Sequence, residues 1–423
     1  MSASRLSALV LAAAAVACGK SSSTAPSNDT GSLAVTITAP AGVSASVSVS
    51  GPDGFLQQIS ATRTLSGLAP GSYMVTAAAG SAADGIVGVP YSGTVTGSPA
   101  SVTAGATANA TVTYTQRANE GLVWVASIGS GAVSGFTSAQ LAASGSPSPA
   151  VALSVKGAKL AVDASGGMWV SYFTRDTLYY FTQAQLLAGG SPAPTIKIAT
   201  TSGGSLSQPT GMAFDARGDL WVANRASNTL VEFTPQQLAA SGAPAPVVTI
   251  VSLFGSLNTP WSIAFDAHGA LWVACFGDSV VSGYSAAQLA AGGAVFPDAG
   301  ISNTLGGGVM GIAFDAAGNL WVASLSGAVS KFTPDQLTTV GAPVPSVVIT
   351  SATLVTPGVV AFDASGSMWV AEESPGYIAK YTAAQLAVSG SPVPATIVHG
   401  GGGSISEPTD IVFSPHAAGL PMH

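Results

Sequence analysis

Charge is the scarcest thing in this chain. Of 423 residues only 12 are Lys or Arg and 19 are Asp or Glu, so 7% are charged and the net charge is −7, where an ordinary soluble domain carries about 25% charged residues. With no basic surface to neutralise a phosphate backbone, nucleic acid is excluded as a partner. Cysteine is as rare: Cys18 and Cys275 are the only two, too few for a disulfide framework, so the fold must be held by its core. The four histidines are His268, His399, His416 and His423. There is no Gly-x-Ser-x-Gly elbow and no phosphate-binding loop. The apolar run over residues 6–16 is too short to span a bilayer.

What the chain has in quantity is apolar residues, at 47%, together with 51 Gly and 26 Pro. Gly and Pro fall at turn positions between short apolar runs, the pattern of an all-β globular protein. One unit recurs, seen most cleanly from Pro209 to Pro246. Residues 211–215 and 220–224 read as strands joined by the hairpin loop Ala216-Arg217-Gly218-Asp219, and 229–233 as a third. Thr234 then reads as a helix N-cap, with Pro235 at the first helical position and Gln237 three residues on, and Phe233 and Leu238 form the matching hydrophobic staple. Gly242 is the expected stop, in a left-handed conformation, with Pro244 and Pro246 beyond it. A strand over 247–251 ends the unit.

The tryptophan of the second strand marks the period: Trp124, Trp169, Trp221, Trp272, Trp321 and Trp369, 45 to 52 residues apart. The capped helix recurs with it, as Phe136-Thr137 with Gln140-Leu141, Phe181-Thr182 with Gln185-Leu186, and so on to Tyr381-Thr382 with Gln385-Leu386. Four short strands in about 50 residues is the signature of a β-propeller blade. The first repeat starts at Leu122-Val123-Trp124 without a preceding strand, while a surplus copy, residues 410–414, stands alone after the sixth. The expectation is an all-β, six-bladed β-propeller over residues 121–423, closed by the C-terminal strand.

The blades AFDARGDLWVAN, AFDAHGALWVAC, AFDAAGNLWVAS and AFDASGSMWVAE resemble those of NHL-type and TolB-like six-bladed propellers, a group that includes gluconolactonase-like hydrolases and virginiamycin B lyase-like proteins. Residues 31–116, with the turn Leu68-Ala69-Pro70-Gly71-Ser72-Tyr73, resemble prealbumin-like or PEGA-type β-sandwich modules of bacterial surface proteins, and imply a spacer or stalk. Residues 1–18 have the plan of a signal peptide, and Ala15-Val16-Ala17-Cys18 resembles the lipobox of bacterial lipoproteins. That resemblance implies lipidation of Cys18, with residues 19–30 as a Ser-rich tether. Gly19 after the cysteine implies the outer membrane or cell surface rather than inner-membrane retention.

Asp163, Asp215, Asp266, Asp315 and Asp363 each precede a Gly-containing hairpin loop, where a carboxylate accepts backbone N–H bonds within the turn. They and the tryptophans read as scaffold. Positions that change between repeats are then the place to seek function. The residue after the Trp strand is Ser127, Tyr172, Asn224, Cys275, Ser324 and Glu372 in turn, and the residue entering the first strand is Lys159, Gly211, Ser262, Gly311, Val359 and Asp410. Both sets are expected on one face. There Glu372, Glu373, Glu407, Asp410 and Lys159 would form a polar site, with Asn224, Arg225, Asn258 and Trp261 lining the other half, or else a solvated rim with a Lys159–Asp410 salt bridge. The main expectation is a binding module for a protein, glycan or small molecule. The alternative is a metal-dependent hydrolase or lyase in which, as the gluconolactonase-like resemblance implies, Glu372, Asn224 and Asp410 hold a divalent cation such as Ca²⁺. Cys275 reads as a buried, inert thiol.

Overall fold

In the computed structural model the described residues are 30–40, 43–78, 80–83, 88–116, 121–200, 204–253, 255–302 and 306–414. The expected signal segment with Cys18, the tether up to residue 29, His416 and His423 lie outside them. The chain is nearly all β, its described strands gathered into eight sheets of four or five strands. Two compact units are distinguished, the first drawn mainly from residues 46–77 and 94–113 and the second mainly from residue 114 onward.

Residues 31–116 hold two sheets. One runs in the order Arg63–Leu68, Gly31–Thr38, Thr107–Gln116, Gly88–Thr96, Gly80–Ala83, and the other Leu56–Ile59, Val47–Ser50, Gly71–Ala77, Ala100–Val102. Leu33, Val35, Val47, Val49, Tyr73 and Val75 are buried in the alternation that half-buried strands require. Arg63–Leu68, Gly80–Ala83, Gly88–Thr96 and Ala100–Val102 are strands that the sequence pattern does not announce, because they are short, polar or interrupted by Gly67 and Pro90. The expected turn is tighter than its motif. Gly67 and Leu68 still belong to a strand, and the Tyr73 hydroxyl donates to the Ala69 carbonyl, fixing the corner.

The second unit contains six sheets, each with four antiparallel strands and each named here by its tryptophan; the Trp221 and Trp272 sheets add a short parallel fifth. The Trp221 sheet takes Pro209–Phe214, Leu220–Asn224, Thr229–Phe233 and Val248–Ser252 in order, and the Trp169, Trp272, Trp321 and Trp369 sheets repeat that order. The Trp124 sheet differs: Leu122–Ser127 pairs on one side with Ala132–Thr137 and on the other with Pro408–Ser414, Val123 lying opposite Phe413. Each tryptophan packs into the sheet that follows it, Trp169 among Phe214, Leu220 and Phe233, and Trp369 among Val123, Phe136 and Phe413.

The turn aspartates accept as their position requires. Asp215 Oδ1 receives the N–H groups of Arg217 and Asp219, and Asp163, Asp266, Asp315 and Asp363 do the same for residues two and four further on. The capping bonds also recur, Thr234 N–H donating to Gln237 Oε1 and Gln237 N–H to Thr234 Oγ1. The expected six helices do not all follow. α-Helical turns of 4 to 6 residues stand in the Trp124, Trp169 and Trp272 sheets, the Trp221 and Trp321 sheets have 3-10 turns, and the Trp369 sheet has plain turns. A capping box satisfies one turn, and nothing here is long enough to propagate a helix beyond it.

Gly242 corrects another expectation. It is not left-handed. Its N–H donates to Lys197 O and its carbonyl accepts from Ala199 N, so it pairs with the outer strand of the preceding sheet. The same parallel pairing joins Leu153 to Gly190, Ile250 to Gly293, Gly300 to Val340, Ile349 to Gly390 and Val398 to Gly145. Every outer edge is thereby occupied.

Candidate functional site

The first strands of all six sheets come together around one small cavity of about 20 Å³, lined by Lys159, Gly211, Ser262, Ile312, Val359 and Asp410 among others. It offers space for about one water molecule. Glycine permits this closeness: a Cβ on Gly211 would lie 2.8 Å from Ile263 N, and one on Gly311 2.7 Å from the Val359 Cα. Lys159 and Asp410 face each other there. Lys159 Nζ lies 3.8 Å from Asp410 Oδ1 and donates to Thr409 O at 2.8 Å, while Asp410 Oδ2 accepts from Leu160 N at 2.6 Å. Burial lowers the Lys159 pKa against the pull of Asp410 and Glu373, and burial likewise raises Asp410 against Lys159. Glu373 is raised by burial first and by Glu407 as well, with Lys159 opposing. Lys159, Asp410, Glu373 and Glu407 are thus one electrostatic group.

Glu372 is not a member of that group. It is fully buried and turned into its own loop, where Oε2 accepts from Val355 N and Thr356 N at 2.9 Å each. Oε1 has no partner among the described residues, and burial pushes the carboxyl up to about 7. Two of the equivalent residues do the same job with other chemistry, whereas Ser127 Oγ has no partner among the described residues. Asn224 Oδ1 accepts from Ser207 N while Nδ2 donates to Ser205 O and Thr229 Oγ1, and Cys275 Sγ donates to Ser256 O. At Glu372, Asn224 and Cys275 this variable position therefore pins the loop that leads into its own sheet. Its changing identity at these three places follows changing loops, so variation between repeats here has a structural cause. Burial pushes the Cys275 thiol up to about 12, leaving it inert.

The oxygens of Glu372, Asn224 and Asp410 are mostly committed to N–H groups of the chain and, at Asp410, to Lys159. They do not fit a divalent cation, whose ligands must be free oxygens converging on one point. On the other half of the face, Arg225 lies over the Trp261 ring at 5.1 Å, and Trp261 packs near Phe276 at 6.5 Å. Asn258 Nδ2 donates to Asp278.

A second region was not legible as a site in the sequence. At the other end of strand Lys159–Val162 a groove of about 320 Å³ runs between the Trp169 and Trp221 sheets, lined by Asp163, Ser165, Trp169, Tyr180, Phe214 and Leu238 with their neighbours. Tyr180 lies against Trp169 with ring centroids 5.0 Å apart, and its hydroxyl is 3.2 Å from Ser165 Oγ. Burial, then the Asp163 charge, raises the Tyr180 phenol pKa. Beside the groove Arg217 holds Asp215, Asp219 and Glu232 at 2.9, 3.0 and 2.6 Å. Those three acids are the one group of carboxylate, His or Cys ligand atoms among the described residues close enough to share a metal, and the guanidinium stands among them. The signal that would have found this region is the cross-strand register, which sets Tyr180 opposite Trp169 and Glu232 opposite Trp221.

No protein-family model matches the chain, and no curated protein matches it in sequence. Solved structures are similar to it at low identity. Virginiamycin B lyase from Staphylococcus aureus aligns with a TM-score of 0.44 and 15% identity, covering 63% of this chain and 80% of that one. A streptogramin B lyase aligns with a TM-score of 0.43 and 14% identity over 63% and 77%. A protein of unknown function from Bacteroides caccae aligns with a TM-score of 0.45 and 10% identity over 66% and 98%.

Proposed function

We propose that the six tryptophan sheets are the blades of a closed, NHL-type propeller, and that this propeller is the binding module of a lipoprotein held at the outer membrane or cell surface through Cys18, with residues 31–116 as a sandwich-like spacer. The observation that carries the binding reading is the axial cavity of about 20 Å³. A substrate cannot enter a space of one water, so on this face nothing larger can be taken up between the strands. A ligand would engage the surface of the polar face, where Glu373 stands between Lys159 and Glu407 in charge and where Arg225 and Trp261 offer a cation stacked on an aromatic ring.

A second reading, a hydrolase or lyase, is favoured by one observation. Glu372 has a partnerless Oε1 and a carboxyl near 7, the range of a general acid or base. The two readings separate in one assay series. The purified chain is analysed for divalent metal and for lactone and ester hydrolysis beside Glu372→Gln, and Cys18→Ser is followed by membrane fractionation. The binding reading expects no stoichiometric metal, no turnover, and release of Cys18→Ser from the membrane fraction. Turnover lost in Glu372→Gln would establish the enzyme instead.

A further inference from the structure

The six tryptophans stand in equivalent places, and the chain treats their surroundings in four ways. In the Trp124 and Trp272 sheets the cross-strand residue is Gly135 or Gly283, against which the ring lies directly. In the Trp321 and Trp369 sheets it is a lysine: Lys331 Nζ is 5.5 Å from the Trp321 centroid, and Lys380 Nζ is 5.2 Å from that of Trp369 and 2.8 Å from Asp363 Oδ2. In the Trp221 sheet it is Glu232, and the cation comes from Arg217, bound to Asp215 Oδ2. Three sheets therefore bring a cation of their own to the turn aspartate or to the tryptophan beside it.

The Trp169 sheet brings none. Tyr180 takes the lysine's place, and Asp163 keeps its Oδ1 for Ser165 and Gly167. Trp272, Trp321 and Trp369 donate their Nε1 to the Oδ2 of the turn aspartate. Among the described residues Trp169 makes no such bond, and the 320 Å³ groove lies alongside. Its walls are apolar and aromatic and its neighbours Asp215, Asp219 and Glu232 outnumber their one guanidinium, so the local sign is negative.

We infer that this groove binds an external alkyl ammonium group, a primary amine on an apolar stem, which supplies from solution the cation that other sheets build in. The ammonium pairs with Asp163 beside the Tyr180 ring, and the stem lies against Trp169, Phe214 and Leu238. The groove sits at the opposite strand ends from the polar face, so the inference stands or falls independently of what that face binds.

The test is calorimetric titration of the full chain with n-hexylamine, n-hexanol and hexanoate near pH 7. Hexylammonium is expected to bind, hexanol at least about tenfold more weakly, and hexanoate not at all. Asp163→Asn, which retains the Oδ1 acceptor of the turn, is expected to lose at least about tenfold for the amine and nothing for the alcohol. Tyr180→Lys is expected to remain folded, as the Lys331 and Lys380 sheets do, and to abolish amine binding by filling the site from within. Absence of binding to the natural chain, equal binding of hexanol and hexylammonium, or undiminished amine binding in both variants would each overturn the inference.

Discussion

A buried carboxyl such as Glu372 makes the fold sensitive to pH in a direction opposite to the usual one. Burial raises its folded pKa to about 7 from an ordinary 4.5, and two backbone N–H donors only partly offset the cost. The folded chain therefore holds this proton more tightly than the unfolded chain. The stability it contributes is complete below about 4.5 and is lost as pH rises through about 7. Glu232, also raised to about 7 by burial despite Arg217, acts with the same sign. Urea unfolding is expected to show stability falling between pH 4.5 and 7.5. Glu372→Gln, which keeps an acceptor for Val355 and Thr356, is expected to flatten that fall by on the order of 2 kcal/mol, with Glu232 and the other raised acids, Glu373 and Asp410, responsible for what remains. An unchanged slope in the variant would place the titration elsewhere.

At the level of the turn and the strand pair, each capping box does more than close a helix. Gln237 Nε2 donates to Ala245 O, eight residues on, and Gln140, Gln185, Gln288, Gln336 and Gln385 make the same bond. Glutamate would satisfy the box but has no N–H to give, which accounts for glutamine in all six copies. Gln237→Glu is expected to lower stability by about 1 kcal/mol in urea unfolding, although a capping box accepts either residue. The Trp221 strand pair gives a second case. Arg217→Ala leaves Glu232 buried without its cation and is expected to cost about 1–3 kcal/mol. Removing Arg217 frees Asp215 Oδ2, and adding Glu232→Lys rebuilds the Lys380 arrangement, in which lysine and tryptophan share that oxygen. The currently unpartnered Trp221 Nε1 thus gains an acceptor, most of the loss should be recovered, and a double-mutant cycle should show positive coupling.

What was legible in the sequence follows this division. The strands around Trp221 and the capping residues could be read because hairpin composition and capping act within a few residues. The pairing of Gly242 with Ile198 could not, since it depends on a neighbouring sheet, and the absence of true helices after Thr234 and Thr382 could not, since a capping box marks where a helix starts and not whether one propagates. The same holds for the site. Lys159 and Asp410 could be placed together by counting repeats, while the turn of Glu372 and Asn224 into their own loops could not be read, because a loop that folds back over its own strand leaves no periodic trace.

For the molecule as a whole, the inner and outer edges of the sheets are handled separately. Pairing of Leu122–Ser127 with Pro408–Ser414 completes the Trp124 sheet, and the parallel bridge from Gly145 to Val398 covers the outer edge of the Trp369 sheet. Deleting residues 408–423 would uncover a strand whose six residues are all buried. The expected outcome is an aggregating chain without a cooperative melt, recovered when a peptide spanning 407–414 is supplied in excess. A soluble, cooperatively melting truncation would show that the Trp124 sheet stands without it.

The pairing of Leu122–Ser127 with Pro408–Ser414 also sets a timetable. Ala126 and Thr409 touch across 283 residues of chain, so this contact has one of the largest loop-closure costs in the fold. Until Pro408–Ser414 has been synthesised and has diffused back, Leu122–Ser127 waits with an open edge, however complete the sheets between them are. Commitment to the native state is thus deferred to a single late encounter, and its rate should respond to a chaperone that shields one strand more than to any change within the other five sheets.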